Sequence, residues 1–102
     1  MDKQEPATTK DESQVEIPNG KFHLKVYAPF QTYFEGVVVS ISAINDTGPF
    51  DILAKHHNFL TLLSPCDLVI DTGDQTNEPE IIKITRGIMQ VKSDDVVVFL
   101  DV

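Results

Sequence analysis

Cysteine is almost absent from the chain, since Cys66 is its only representative. A single cysteine cannot form an internal disulfide, which fits a reducing compartment. No general base for this thiol is evident in the sequence, so a structural thiol is a better interpretation than a nucleophile. The chain also lacks G-x-S-x-G, P-loop and C-x-x-C motifs. The sequence therefore does not favour an enzyme, and we expect no catalytic residues and no bound cofactor.

Positive charge is scarce as well. The chain has 8 basic and 16 acidic residues, a net charge of −8, and Arg86 is its only arginine. The lysines are scattered, so no basic face is available for nucleic acid or for anionic lipid. A phosphate site built from paired arginines is excluded for the same reason. The sequence predicts that the protein does not bind nucleic acid.

Long apolar runs are missing too. No apolar run in the sequence is longer than residues 96–100, which is far short of the roughly 20 residues needed to cross a bilayer. The first twenty residues contain neither an apolar core segment nor an arginine-rich amphipathic face, so we expect neither secretion nor organelle import. Direct insertion into a membrane is not expected.

The composition divides the chain into a tail and one domain. Residues 1–20 are polar and acidic and contain Pro6 and Pro18, which predicts a flexible, disordered tail. Residues 21–102 are of a length that forms one domain with one core.

Residues 21–102 show the sequence patterns of β-strands. Phe22, Leu24 and Val26 alternate with polar residues, as expected for a half-buried strand. Turn signals recur about every ten residues, and no helix of about ten residues or more is indicated. We expect a turn at Gly36 between two strands, and a bulge or tight turn at Gly87, where the apolar parity changes. The fold class is therefore all-β, a sandwich or a barrel.

Two predicted strands carry an unusual number of apolar residues: the strand that follows Gly36 and the last strand of the chain. Val37, Val39, Ile41 and Ala43 are predicted to form one apolar face. In the last strand, Val96, Val98 and Leu100 form one face, while Val97 and Phe99 make most of the other. A sandwich strand normally shows a polar face to water. The second face is thus expected to be covered, either by a loop of the same chain or by another protein.

The segment 48–63 is apolar at both ends and polar in the middle, where it reads Lys55, His56, His57 and Asn58. Adjacent histidines on a strand point to opposite faces, so a shared metal site is not favoured. From Phe59 onward the segment is expected to return to the core. The polar middle must meet either water or a partner, and docking explains it better than catalysis.

Taken together, several spaced landmarks resemble a known family. They are Leu24-x-Val26-x-x-Pro29, Phe34-x-Gly36, Gly48-x-Phe50-x-Ile52-Leu53-x-x-His56, Leu60-Thr61-x-Leu63-x-Pro65, Gly87-x-x-x-Val91 and Val96-x-Val98. In order and separation they are similar to the N-terminal β-sandwich domain of the epsilon subunit of F-type ATP synthases.

The resemblance implies a ten-stranded β-sandwich that belongs to the rotor, or central stalk, of a rotary ATP synthase. A domain of this family performs no chemistry; it packs against the gamma subunit and sits on the ring of c subunits, coupling the catalytic head to the proton-driven ring. It implies a cytoplasmic location, peripheral to the inner face of the cell membrane, and no obligate homo-oligomer. The C-terminal helical hairpin common in relatives is not expected, and neither is its ATP site.

The resemblance also implies a set of partner-binding residues. The segment 48–57 corresponds to a loop that lies toward the ring, with His56 in the docking region. Pro49 stands where relatives carry a carboxylate, so Asp46 and Asp51 are expected to supply that charge. With His57 and Asn58 they complete the set. These departures also leave open an alternative, a free-standing β-sandwich binding module that reuses the fold for another partner.

Overall fold

The strands of the molecule confirm the all-β fold class. The computed structural model describes residues 20–74, 76 and 78–101, and the tail predicted for 1–20 lies outside them except for Gly20. In these residues there are nine strands: β1 (Phe22–Ala28), β2 (Gln31–Val38), β3 (Ser40–Asn45), β4 (Gly48–Leu53), β5 (His56–Leu63), β6 (Cys66–Asp71), β7 (Glu80–Ile84), β8 (Gly87–Ser93) and β9 (Asp95–Leu100).

The strands form two sheets that pack face to face. The first sheet has the order β2-β1-β9-β8-β5, and the second has the order β4-β3-β6-β7. All pairings are antiparallel except that of β1 with β9, which is parallel. Strand β9 thus lies at the centre of the first sheet, between β1 and β8.

The strand count of the described residues is nine, and the expectation of ten is wrong. The described residues between β6 and β7 are not in a strand, in line with the turn signals of this polar segment. Its side chains bond to its own backbone, as Asp71 accepts from the Gly73 amide at 2.9 Å and Asp74 accepts from the Thr76 amide at 3.0 Å. Such local bonds compete with strand pairing.

The turn predicted at Gly36 is also misplaced. Gly36 lies inside β2, opposite Leu24. The chain breaks instead at Val39, whose amide donates to the carbonyl of Asp71 at 2.7 Å as the chain passes from the first sheet to the second. This break shifts the parity of the apolar residues: Val38 and Ile41 are buried, while Val39 is only half-buried. The single apolar face predicted across residues 37–43 is therefore wrong.

The core fills the space between the two sheets. Alternate residues of each strand point inward, because successive side chains of a strand face opposite sides of its sheet. Each aliphatic side chain that becomes fully buried stabilises the fold by about 1.5–3 kcal/mol. The buried apolar residues are Phe22, Leu24, Val26, Ala28, Val38, Ile41, Ala43, Ile52, Leu63, Leu68, Ile70, Ile84, Met89, Val91, Val96, Val98 and Leu100.

The bulge or tight turn predicted at Gly87 is misplaced. Gly87 is the first residue of β8 and pairs regularly with Leu63 on one side and Leu100 on the other, while the bend that carries the chain from the second sheet back to the first lies at residues 85–86. A Cβ atom at this position would lie 2.7 Å from the carbonyl oxygen of Phe99. The strand pairing leaves no room for a side chain, so this position requires glycine.

We expect Gly87→Ala to lower the free energy of unfolding by about 1–3 kcal/mol, because its methyl group would force the backbone of β9 away from β8. Gly36→Ala is the matched control, since a Cβ there would lie 3.7 Å from the Phe34 ring, an ordinary contact. Urea denaturation followed by circular dichroism measures both. Equal losses in the two variants would contradict the steric explanation.

Candidate functional site

The turns of the sandwich gather at two opposite ends, which differ in chemistry. The end that we call the Phe30 end holds the turns at 29–30, 46–47, 64–65 and 85–86. The end that we call the Asp94 end holds the turn at 54–55, the loop at 72–79 and the turn at Asp94. The ring of Phe30 is 100% exposed, whereas the Asp94 end presents imidazoles, lysines and carboxylates.

The candidate docking segment 48–63 is not a single loop. It forms β4 and β5, which belong to different sheets and are joined by the two residues Ala54 and Lys55. The six residues of β4 span about 20 Å and run from the Phe30 end to the Asp94 end. Residues at the two ends of this segment therefore cannot form one compact site.

The proposed partner-binding residues are divided accordingly. His56, His57 and Asn58 lie together at the start of β5, at the Asp94 end. Asp46 lies in the β3–β4 turn, at the Phe30 end. Asp51 lies in β4 between the two ends, where its carboxylate accepts a hydrogen bond from the Ser42 hydroxyl at 2.6 Å. The structure thus brings together three of the five residues.

The two histidines stack on each other. Their ring centroids are 4.3 Å apart with an interplanar angle of 25°. The Phe59 ring packs edge-to-face with both, its centroid 5.8 Å from that of His56 and 6.4 Å from that of His57. Phe50 packs against Phe59 at 6.0 Å. The prediction that the histidines point to opposite faces is wrong, because the register of β5 shifts between His56 and Phe59 and an extra residue breaks the alternation.

One hydrogen bond determines the tautomer of His56. Its Nδ1 lies 2.9 Å from the carbonyl oxygen of His57. Because a carbonyl oxygen only accepts, Nδ1 must carry the proton. The Nε2 atom of a neutral His56 is then an acceptor that a partner's donor can use.

The turn that carries the histidines is tied to the neighbouring hairpin. Lys55 has a φ of 59°, and its amide donates to the Asp94 carboxylate at 3.2 Å. The Asp94 carbonyl also accepts from the His23 amide at 2.8 Å. The His23 ring is half-buried and lies 3.4 Å from Asp95 and 3.9 Å from Glu35. This end is therefore held by backbone bonds and surrounded by charge.

An exposed apolar surface runs across the outer face of the first sheet. In one cross-strand row Leu62 pairs with Ile88, Ile88 with Phe99, and Phe99 with Tyr27. Leu60 and Leu62 are 68% and 71% exposed, so the expectation that β5 returns wholly to the core is wrong. Alternation turns these two residues outward while Leu63 is buried. We call Tyr27, Leu60, Leu62, Ile88, Val97 and Phe99 the apolar surface.

The sequence left two candidates for covering the outer face of β9: a loop of the same chain or another protein. The apolar surface bears on that choice. Phe99 is half-buried by its neighbours, since the Tyr27 ring meets it edge-on at 5.1 Å. Within the described residues, however, Leu60 and Leu62 remain open. Their exposure could have been predicted from the sequence, because residues 60 and 62 alternate with Leu63 along β5 and must face the opposite side of the sheet. The exposure of Phe30 had no signal beyond its position after Pro29.

A groove of about 1050 Å³ continues the apolar surface toward the Phe30 end. It is lined by Asp46, Leu62, Leu63, Ser64, Pro65, Thr85, Arg86, Gly87, Ile88, Phe99 and Asp101. The Arg86 guanidinium donates to the Asp101 carboxylate at 2.8 Å at its rim. The groove is open and mostly apolar, which suits a protein surface better than a small polar ligand.

Two chemical possibilities find no support in the described residues. No group of three or more His, Cys, Asp or Glu side chains within them is placed to hold a metal ion. Nor do they include a helix with the length and apolar character needed to cross a bilayer. The features of the described residues that invite a functional explanation are therefore the apolar surface, the groove and the exposed Phe30.

Comparison with known proteins finds relatives in one family. The family model described as "ATP synthase, Delta/Epsilon chain, beta-sandwich domain" matches residues 21–102. An ATP synthase epsilon chain of Clostridium novyi is 30% identical over 82 residues, covering 78% of this chain and 60% of the relative. One of Clostridium perfringens is 33% identical over 76 residues, covering 74% and 56%. The chain thus spans little more than half the length of these relatives.

Solved structures show the same fold at low sequence identity. A chain in the Euglena gracilis mitochondrial ATP synthase, in a structure of its OSCP, F1 and c-ring, has a TM-score of 0.72 at 17% identity and covers 90% of this chain and 57% of its own. A chain of the Tetrahymena thermophila mitochondrial ATP synthase, in a structure of its central stalk and c-ring, has a TM-score of 0.61 at 17% identity and covers 78% and 62%.

Lys55 provides a test of the turn geometry. A positive φ disfavours β-branched residues strongly and asparagine little. We expect Lys55→Val to lower the free energy of unfolding by about 1–2 kcal/mol and Lys55→Asn to change it by less than about 0.5 kcal/mol. Urea denaturation measures both variants. A neutral valine variant would show that the turn does not require this conformation.

Proposed function

Because the chain belongs to the family of ATP synthase delta/epsilon-chain β-sandwich domains, we propose that it is a central-stalk, or rotor, subunit of a rotary F-type ATP synthase. It couples the catalytic head to the proton-driven ring through contacts with the gamma subunit and the c subunits. The family match over residues 21–102 carries the proposal. The exposed apolar surface supports it, since large apolar patches mark protein interfaces.

The gamma subunit occupies the apolar surface. A specific interface buries about 800 Å² on each partner, enough to extend along the whole of β5. A partner that covers Leu60 and Leu62 therefore also reaches His56, His57 and Asn58, which begin the same strand. The exposed leucines supply the apolar centre of the contact, and the imidazoles and the Asn58 amide supply its polar rim.

The Phe30 end contacts the ring of c subunits. A phenylalanine that is 100% exposed at the tip of a turn is unfavourable in water and gains by meeting a partner. Asp46 lies in another turn of this end and beside the groove that adjoins the apolar surface. Gamma and the ring thus meet neighbouring surfaces of one rigid sandwich. Asp51 has a local role in this arrangement, bonded to Ser42.

The role of the domain is mechanical, not catalytic. A sandwich with strong cross-strand pairing holds its two contact surfaces at a constant distance, so rotation of the ring reaches gamma without slipping. No cofactor is needed for this task. The working location is the cytoplasm, at the inner face of the cell membrane and peripheral to it.

We expect Leu62→Asp to weaken binding to the cognate gamma subunit at least tenfold, because it places a charge at the centre of the apolar contact. Ile81→Asp is the matched control, since Ile81 is 60% exposed but lies in β7 of the other sheet. Co-elution and calorimetry at micromolar concentration measure both. If the wild-type chain does not bind gamma, the proposed function fails. If both variants bind equally, only the surface is wrong.

Cross-linking distinguishes the two ends. In a Cys66→Ser background, we expect a maleimide cross-linker on Asp46→Cys to capture a c subunit in the assembled complex, and one on His57→Cys to capture gamma. The two positions lie at opposite ends of the sandwich, so each serves as the control for the other. The opposite pattern would overturn the assignment of the ends and leave the rotor role intact.

A further inference from the structure

The stacked histidines of β5 occupy the polar rim of the proposed gamma contact. We propose that His56 and His57 form a proton-sensitive element there: when the pair gains protons, the rings separate and the affinity for gamma falls. This inference rests on the proposed function, because it concerns the regulation of the same surface. It assigns a use to both members of the stacked pair.

The geometry of the pair favours its less protonated state. Two neutral imidazoles stack readily at the observed 4.3 Å between centroids, with Phe59 packed edge-on against both. Histidine is the side chain that ordinarily changes charge between pH 5 and 8. One added proton is tolerated, because the other ring offers its π face to the cation. Two protons place like charges face to face, and they repel.

The charges around the pair leave little to offset a second proton. Lys55 precedes His56, and Lys92 lies on the neighbouring strand β8 next to Ser93, which pairs with His56. The two carboxylates of the adjoining turn are directed to other groups, since Asp94 accepts from the Lys55 amide and Asp95 lies 3.4 Å from His23. Within the described residues neither carboxylate forms an ion pair with His56 or His57. On β4, Phe50, which packs against Phe59, is uncharged.

Separation of the rings has a defined structural consequence. The hydrogen bond from His56 Nδ1 to the His57 carbonyl and the contacts to Phe59 hold the irregular start of β5 in one conformation. When the rings part, this stretch loses its internal contacts, and the polar rim no longer matches a partner that rests on Leu60 and Leu62. The pair thus links proton concentration to docking without a change in the core.

The first test uses the full chain alone, by nuclear magnetic resonance between pH 8 and pH 5. We expect the cross-peaks that the ring protons of His56 and His57 give to Phe59 at pH 8 to disappear at low pH. In His57→Gln the cross-peaks between His56 and Phe59 should persist to pH 5. His23→Gln is the control and should lose the same cross-peaks as the wild-type chain. Cross-peaks that persist at pH 5 in the wild-type chain would overturn the inference.

The second test measures the affinity for purified gamma at pH 7.5 and pH 5.5. We expect at least a fivefold loss for the wild-type chain and for His23→Gln, and less than a twofold loss for His57→Gln. The same loss in all three would overturn the inference while supporting the proposed function. An absence of binding at every pH would refute the proposed function and with it the regulation of docking, whereas the cross-peaks of the free chain would still report the ring separation.

Discussion

Close packing of the inner faces of two sheets is the constraint on which the rest of the structure depends. Strand β9 shows it best, since Val96, Val98 and Leu100 are buried while the strand pairs with β1 on one side and β8 on the other. The approach of β8 to β9 is close enough that Gly87 has no space for a side chain. With the inner faces so occupied, the described residues have only their outer faces and ends left for function.

Those outer surfaces are arranged in a way that suits a connecting domain. The apolar surface and the groove adjoin the Phe30 end, whereas the imidazoles and carboxylates lie at the Asp94 end. A domain that must hold two partners at a constant separation needs stiffness and distinct contact surfaces, and it needs no deep pocket. Edge strand β5 joins these regions, because Leu60 and Leu62 lie on the same eight residues as His56 and His57.

Residue patterns predicted a good part of this, and the failures have particular physical causes. Phe22, Leu24 and Val26 are buried as their alternation indicated. The parity of the buried residues changes near Gly87 as predicted, but the bend lies at residues 85–86 and Gly87 itself pairs within β8. Gly36 likewise continues a strand because its neighbour across the sheet is Leu24. The candidate site was predicted as one set, yet Asp46 and His56 lie at opposite ends since a whole strand separates them.

The all-β class, the alternation that selects the core, and a family resemblance over residues 21–102 can be read from the amino-acid sequence alone. These depend on local periodicity and on the order of landmarks, which are properties of a linear chain. Three features became evident only in the folded molecule: the crossing between sheets at Val39, the bulge that stacks His56 on His57, and the exposure of Leu60 and Leu62. Each of these depends on which distant strand lies alongside, and pairing across a sheet is not encoded in any single segment.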